Sequence, residues 1–524
     1  SGNVYAAGKS RVSQYGDQFT VIKYNSAGVQ KWVRSYGVQL FDNYDEAKDI
    51  EIDAAGFIYV TGTSYSRFNS STDLFTVKLD SGGNQIWYST FNSSAGVNEK
   101  ANALAVDNSG YVYITGTSQI FSGHSNYLTV KLNTAGGIMW SAVYNGPGNG
   151  GDYSYDIEAD NSGNVYITGQ SSGAGTQDDI ATIKYNSSGT QQWLHRYNGS
   201  ANGEDLGNDL EIDNGGNVYV CGMINEISSG YNSVLLKYNS SGVLRWTKQD
   251  NRSDSLNALE SGIAIELDTS KTKIYLAGNL SAHGYQGRRA QFLSKYDSSG
   301  VKIFGTSTLF YVLGSETIVS GLAVDSRETI YISTYRIFNP EERETDLTAY
   351  DSSGSPLHYF GANVLKNSSV GPESKELIAA NDIGNVYIGA GIYDSTAGTL
   401  MSVIKYNLYP LRARINLLIQ GFYNEAANIM TEDTARFYLR NASPPYAIID
   451  SALVFPEYDG LYAFSFKNGS FMTNYYISVK HRNSIETWTA GTVSFLTYGL
   501  IYYDFTTDAS KAFGGNQIKV DDFP

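Results

Sequence analysis

The sequence predicts an all-β protein: an eight-bladed β-propeller over residues 1–407, followed by a β-sandwich over residues 408–524. Three observations predict it. Gly-Asn-Val-Tyr or a close relative occurs eight times, with its tyrosine at Tyr5, Tyr59, Tyr113, Tyr166, Tyr219, Tyr275, Tyr331 and Tyr387. Five of the six tryptophans fall in one slot of that repeat. From about residue 411 the repeat stops, and short apolar runs separated by polar turns continue to the end.

The spacing of 53 to 56 residues between the tyrosines is that of propeller blades and related arrays. Each repeat carries four strand-like runs; in the third they are residues 103–106, 112–115, 128–132 and 138–140. Asp107-Asn108-Ser109-Gly110 separates the first two, and in the next repeat Asn186-Ser187-Ser188-Gly189 separates the last two. Asp and Asn cap their own backbone two residues on, and glycine takes the positive φ of a tight turn. The unit is therefore a four-stranded meander. Alone it buries one face at most; radial stacking buries both and leaves only short edges.

Trp32, Trp87, Trp140, Trp193 and Trp246 stand four residues after a turn glycine, with Phe304 and His358 in the next two repeats. A ring in this slot fills the space between neighbouring sheets; carbohydrate stacking is the functional alternative. Lys23, Lys78, Lys131, Lys184, Lys237, Lys295 and Lys405 recur in the third strand. They read as turn-pairing charges with stems on apolar surface, the alternative being a ring of charge lining a channel. Cys221, the one cysteine, stands where neighbouring repeats have Thr61, Thr115 and Thr168, and reads as a small buried strand residue.

The first repeat begins with its second strand, and the eighth lacks a Trp-bearing fourth strand. These two partial repeats predict a closure in which both ends of the repeat region share one blade. A count of seven stays open, because the seventh repeat is the weakest and has Ser326-Arg327-Glu328-Thr329 in place of the usual turn.

Composition agrees. The 524 residues exceed one ordinary core. With 54 glycines, 9 prolines, 42 tyrosines and 22 phenylalanines, the chain suits short strands and tight turns. A formal charge of −15 disfavours nucleic acid and anionic membranes as partners, and no apolar run is long enough for membrane insertion as a helix.

The strings at residues 160–169, 184–189 and 196–199 resemble the SBBP family of bacterial β-propeller repeats, and the resemblance covers roughly residues 1–407. It implies an exported or surface protein, usually with no assigned enzymatic activity, joined to adhesive or anchoring modules, and it supplies no catalytic residues.

Seven further strand-like runs (415–419, 435–439, 446–449, 461–466, 474–479, 492–496 and 501–505) predict the sandwich. Residues 475–483 and 485–488 resemble the immunoglobulin- or transthyretin-like modules of exported bacterial proteins, including those of type IX secretion. His481, Arg482, Asn483, Glu486 and Trp488 form the densest polar cluster, read as a strand-end hydrogen-bonding network with ligand binding as its alternative.

The five histidines have no metal spacing, and no nucleophile elbow, phosphate loop or calcium loop occurs. No catalytic, cofactor-binding or metal residue is assigned, and no cofactor is expected. The expected function is a non-catalytic scaffold, secreted or on the cell surface, mediating adhesion or assembly through protein partners or its own copies. A glycan-binding module presenting Tyr153 and Tyr155 to cell-surface glycans is the first alternative. A propeller enzyme, quinone-dependent or glycosidase-like, is the second; its candidate charges are Arg288-Arg289 and Glu341-Glu342-Arg343-Glu344, expected in loops.

Overall fold

Each repeat folds as an antiparallel meander in sequence order. The third runs Val97–Val106, Val112–Ile120, Ser125–Leu132 and Ile138–Tyr144, so its strands extend well beyond the apolar runs that announce them. The computed structural model describes residues 2–12, 16–26, 28–36, 45–66, 70–94, 96–120, 123–250, 259–281, 289–309, 316–339, 342–361, 378–380, 385–394, 398–407, 411–417, 423–424, 429–430, 434–456, 461–466, 474–481, 486–494, 500–506 and 509–512. The chain divides into two units: Ser1–Asp382 with Val386–Tyr406, and Ile383–Asn385 with Asn407–Pro524.

In the first unit, the first sheet has three strands, Val4–Val12, Gly16–Tyr24 and Gln30–Tyr36. Six four-stranded meanders follow, and a single parallel bridge, Tyr231 to Leu259, joins the fifth to the sixth. The last sheet again has three strands, Ile378–Ala380, Asn385–Asp394 and Gly398–Asn407. First strands of successive sheets lie against each other from the second sheet to the eighth, the packing of a β-propeller. Closure between the first and last sheets lies outside the described residues.

Strand register explains which residues recur. Lys131 is paired across the ladder with Tyr113 on one side and Trp140 on the other, so the three form one cross-strand row. The same row is Tyr166-Lys184-Trp193 and Tyr219-Lys237-Trp246 in the next two sheets, and Tyr275-Lys295-Phe304 in the sixth. Successive side chains point to opposite faces. Ile114 therefore packs with Tyr59 and Leu74 of the preceding sheet, while Tyr113 packs with Val165 and Ile167 of the following one. Neither face is left to solvent.

A bulge interrupts the first strand in the same place from the second to the seventh sheet; in the second Lys48 is the extra residue, between Ala47 and Asp49. The second strand answers with a glycine. A Cβ on Gly62 would lie 2.0 Å from the Glu46 carbonyl oxygen, and one on Gly116 would lie 1.8 Å from that of Lys100.

In the second unit, Leu411–Asn416 pairs antiparallel with Leu461–Phe466 and parallel with Leu500–Asp504. A five-stranded sheet has Ala435–Asn441 between Ile448–Val454 and Asn474–Lys480. One core draws on both sheets, with Ile415, Tyr462 and Ile501 from the first and Phe437, Leu439 and Ile477 from the second.

Two expectations need correction. Arg289 and Glu342 to Glu344 belong to the strands Arg289–Asp297 and Glu342–Tyr350 rather than to loops, because the third strands begin earlier than their apolar cores; their side chains, with Arg288 and Glu341, lie outside the described residues. Tyr446 lies in a turn, at φ 53°, and the strand starts at Ile448. Arg482 and Asn483 lie outside the described residues.

Candidate functional site

The repeated polar side chains converge on the joints between sheets. Lys184 Nζ and Trp193 Nε1 both donate to the carbonyl oxygen of Ser240 in the next sheet's turn, at 3.2 and 3.3 Å. Lys131 and Trp140 do the same to Ser187, and Lys23 and Trp32 to Ser81. The ammonium also lies over the row's own tyrosine, 4.8 Å from the Tyr166 ring centre and 4.9 Å from Lys237 to Tyr219. These tyrosines donate to the aspartate of their own turn: Tyr113 to Asp107 at 3.0 Å, Tyr166 to Asp160 at 3.1 Å. The lysines are thus turn-pairing charges, on the neighbour's turn, and the tryptophans fill the space between sheets. Lys405 lies outside the described side chains.

Two sets of carboxylates, unremarked in the sequence, complete the joints. Asp49, Asp156 and Asp209 reach the first strand of the following sheet and accept from Leu104, Leu210 and Ile265 N–H at 2.7, 2.8 and 2.8 Å. Asp45, Glu99, Asp152, Asp205 and Glu260 are buried where the first strands begin. Asp205 accepts from Gly199 and Asn225 N–H, both at 2.7 Å, and burial pushes its carboxyl up to about 6. Asp-for-Glu exchange across the repeats hides this second set from pattern reading.

Two positions along the same strands stand Glu51, Glu158, Glu211 and Glu266, half-buried on the inner strands of four sheets. Burial first, then Asp49, pushes the Glu51 carboxyl up to about 8. Burial and Glu211 raise Glu158, and burial and Glu266 raise Glu211, while Lys271 opposes both shifts. Lys271 takes a turn position at φ 55° where other repeats have glycine, and donates to the Ile212 carbonyl at 2.9 Å. Among the described residues no three His, Cys, Asp or Glu side chains gather as a metal-holding group.

A hollow of about 280 Å³ opens between the first three sheets. Lys9, Lys48, Lys100, Glu46, Thr63 and Tyr65 are among its lining residues. The bulge residue differs from sheet to sheet. The bulge residue is an asparagine in the third and fifth sheets, donating to Ser154 and Gly262 carbonyls of the next sheet at 2.7 Å each. In the second sheet it is Lys48, which pairs with Glu46 at 3.2 Å.

Other candidates separate. Tyr153 is exposed, but Tyr155 is half-buried and donates to Gln170 at 2.7 Å, so the two build no common platform. Cys221 is fully buried. His481 is buried, and Glu486 and Trp488 meet Arg440, which donates to Glu486 at 2.9 Å and lies 4.8 Å from the Trp488 ring centre. Arg440, Glu486 and Trp488 thus meet between neighbouring strands.

No protein-family model and no curated protein matches the chain. Solved structures do. The β-propeller domain of the Trilobed protease from Pyrococcus furiosus, described as having an open velcro topology, is 9% identical with a TM-score of 0.39, over 70% of this chain and 96% of that one. A polysaccharide lyase, an ulvan lyase, is 9% identical with a TM-score of 0.37, over 80% and 92%. Drosophila Plexin A, solved with Semaphorin 1b, is 9% identical with a TM-score of 0.38, over 69% and 85%.

Proposed function

We propose that the protein is a non-catalytic scaffold, exported to the cell surface or beyond, that mediates adhesion or assembly. One observation carries this reading: the Lys–Trp pairs 23/32, 131/140 and 184/193 are each occupied in holding one sheet to the turn of the next. An enzyme of this architecture needs a repeat whose charges face a substrate, whereas these charges face neighbouring turns. The resemblance to SBBP repeats points the same way, and with it the reading of the eight sheets as eight blades of one ring and of the second unit as an immunoglobulin- or transthyretin-like sandwich.

Particle images and sedimentation of the purified chain test the role. Defined assemblies of the chain with itself, or a stable complex with a surface protein, are the expected result. Turnover of a quinone-dependent or glycosidic substrate by the purified chain would overturn it.

A further inference from the structure

The outer strand of the third sheet, Ile138–Tyr144, is an open edge, and we infer that it pairs antiparallel with the same strand of a second copy of the chain. The strand ends its sheet, and among the described residues none of its backbone groups bonds beyond that sheet. Ile138, Met139 and Val143 are 50, 52 and 54% exposed. Native edges of this kind are usually blunted by a charge or a proline. Other outer strands follow that rule, with Lys31, Arg196, Lys248, Lys302 and Pro356. Among the described outer strands only Gln85–Phe91 of the second sheet shares the omission, and there Asp80 heads the turn where the third sheet has Asn133.

Charge argues for a second copy as the occupant. With a formal charge of −15, two copies of the chain repel at most approaches. Between Asp107 and Asp152, however, the one charged residue is Lys131, in a chain where 17% of residues are charged. The joint to the fourth sheet occupies its ammonium. Two copies therefore meet at this edge without setting acid against acid. A basic partner, which the rest of the chain would attract, finds no acid on this strand to hold.

The strand also complements itself. From Trp140 to Tyr144 it runs in unbroken register with its inner neighbour, the extra residue at Met139 lying outside this stretch. A two-fold axis at Ala142 sets that small side chain against its copy, each Trp140 opposite a Tyr144, and each Val143 opposite a Ser141. Cross-strand aromatic pairs stabilise a ladder, and a self-complementary patch closes as a dimer instead of an open fibre. Seven residues of strand span only about 24 Å and cover less than the roughly 1,200–2,000 Å² of a stable interface. The dimer is a weak one that fills with concentration. The pairing rests on the assembly reading proposed above, for which it supplies the partner and the surface.

Sedimentation equilibrium and hydrogen exchange of the full chain test it, both across a concentration range of about 1–500 μM. A monomer–dimer equilibrium with a midpoint at roughly 10–100 μM is expected, with the amides of residues 138–144 exchanging more slowly as dimer forms. Val143→Lys supplies the missing charge and is expected to weaken the dimer about tenfold or more. Ile303→Lys, at a similarly exposed outer-strand position of the sixth sheet, is expected to leave it unchanged. The inference is overturned by a parent that stays monomeric, by concentration-dependent protection that omits residues 138–144, or by assembly that survives Val143→Lys. A scaffold that assembles through another surface, or with another protein, would still stand after any of these results, so the two readings fail separately.

Discussion

The Trp193 ring leaves no room for a side chain on Gly242: a Cβ built there would lie 2.6 Å from the ring's Cγ. Gly242 also sits at φ 81°, where an L-residue is strained. Gly28 holds the corresponding turn position of the first repeat at φ 77°, but a Cβ there meets nothing within 4 Å. The pair separates backbone strain from packing.

Gly28→Ala should therefore cost only the left-handed penalty, about 1–2 kcal/mol. Gly242→Ala should cost roughly 1–3 kcal/mol more, the usual range for overpacking. Urea denaturation of the two variants measures the difference, and equal losses would remove the tryptophan from the account.

The inner carboxylates set a pH dependence. Glu51 titrates near 8 in the folded chain against an ordinary value of 4.5, and Glu158 and Glu211 are raised as well. A raised carboxyl pKa means that the fold favours the protonated form. Its contribution to stability is full below the ordinary value and falls as pH rises from about 4.5 through 8. Thermal midpoints should be lower at mildly alkaline pH than at mildly acidic pH, and Glu51→Gln should flatten part of that slope. A midpoint that climbs steadily through this window in the parent would contradict the assignment.

Glu328 works in the opposite sense. It stands at φ 61° where the second to fifth repeats have Gly56, Gly110, Gly163 and Gly216. Lys273 donates to it, Lys295 donates at 2.7 Å and the Tyr275 hydroxyl at 3.2 Å, and these lysines hold its carboxyl below the usual range against the pull of burial. Glu328→Gly relieves the backbone but leaves Lys295, 4% exposed, without its counter-charge. The variant should melt below the parent by calorimetry despite restoring the common turn. A higher midpoint would mean that backbone strain outweighs the ion pairs.

What could be read beforehand followed the covalent period. The tyrosine interval, the Asx-Gly turns and the tryptophan slot each repeat along the chain, and local geometry converts them directly into strands and turns. The partners of those side chains were not legible in the same way. Lys184 and Ser240 are 56 residues apart, and only the stacking of sheets makes them neighbours. The buried acids alternate between Asp and Glu, which conceals a common role. Lys48 looks like any surface lysine until the ladder shows that it is the residue left over at a bulge. Tyr153 and Tyr155, singled out as neighbours in sequence, part company because Tyr155 is the extra residue at the bulge between Ser154 and Asp156.

The central claim is that Lys184 and Trp193 hold one sheet to the next through a single acceptor, the Ser240 carbonyl. A double-mutant cycle of Lys184→Met and Trp193→Phe, read by urea denaturation, tests it most directly. Each substitution alone should destabilise the chain, and the two should be non-additive by about 0.5 kcal/mol or more, since they share a partner. Two neutral, additive substitutions would show that these side chains decorate the surface and do not bind the sheets together.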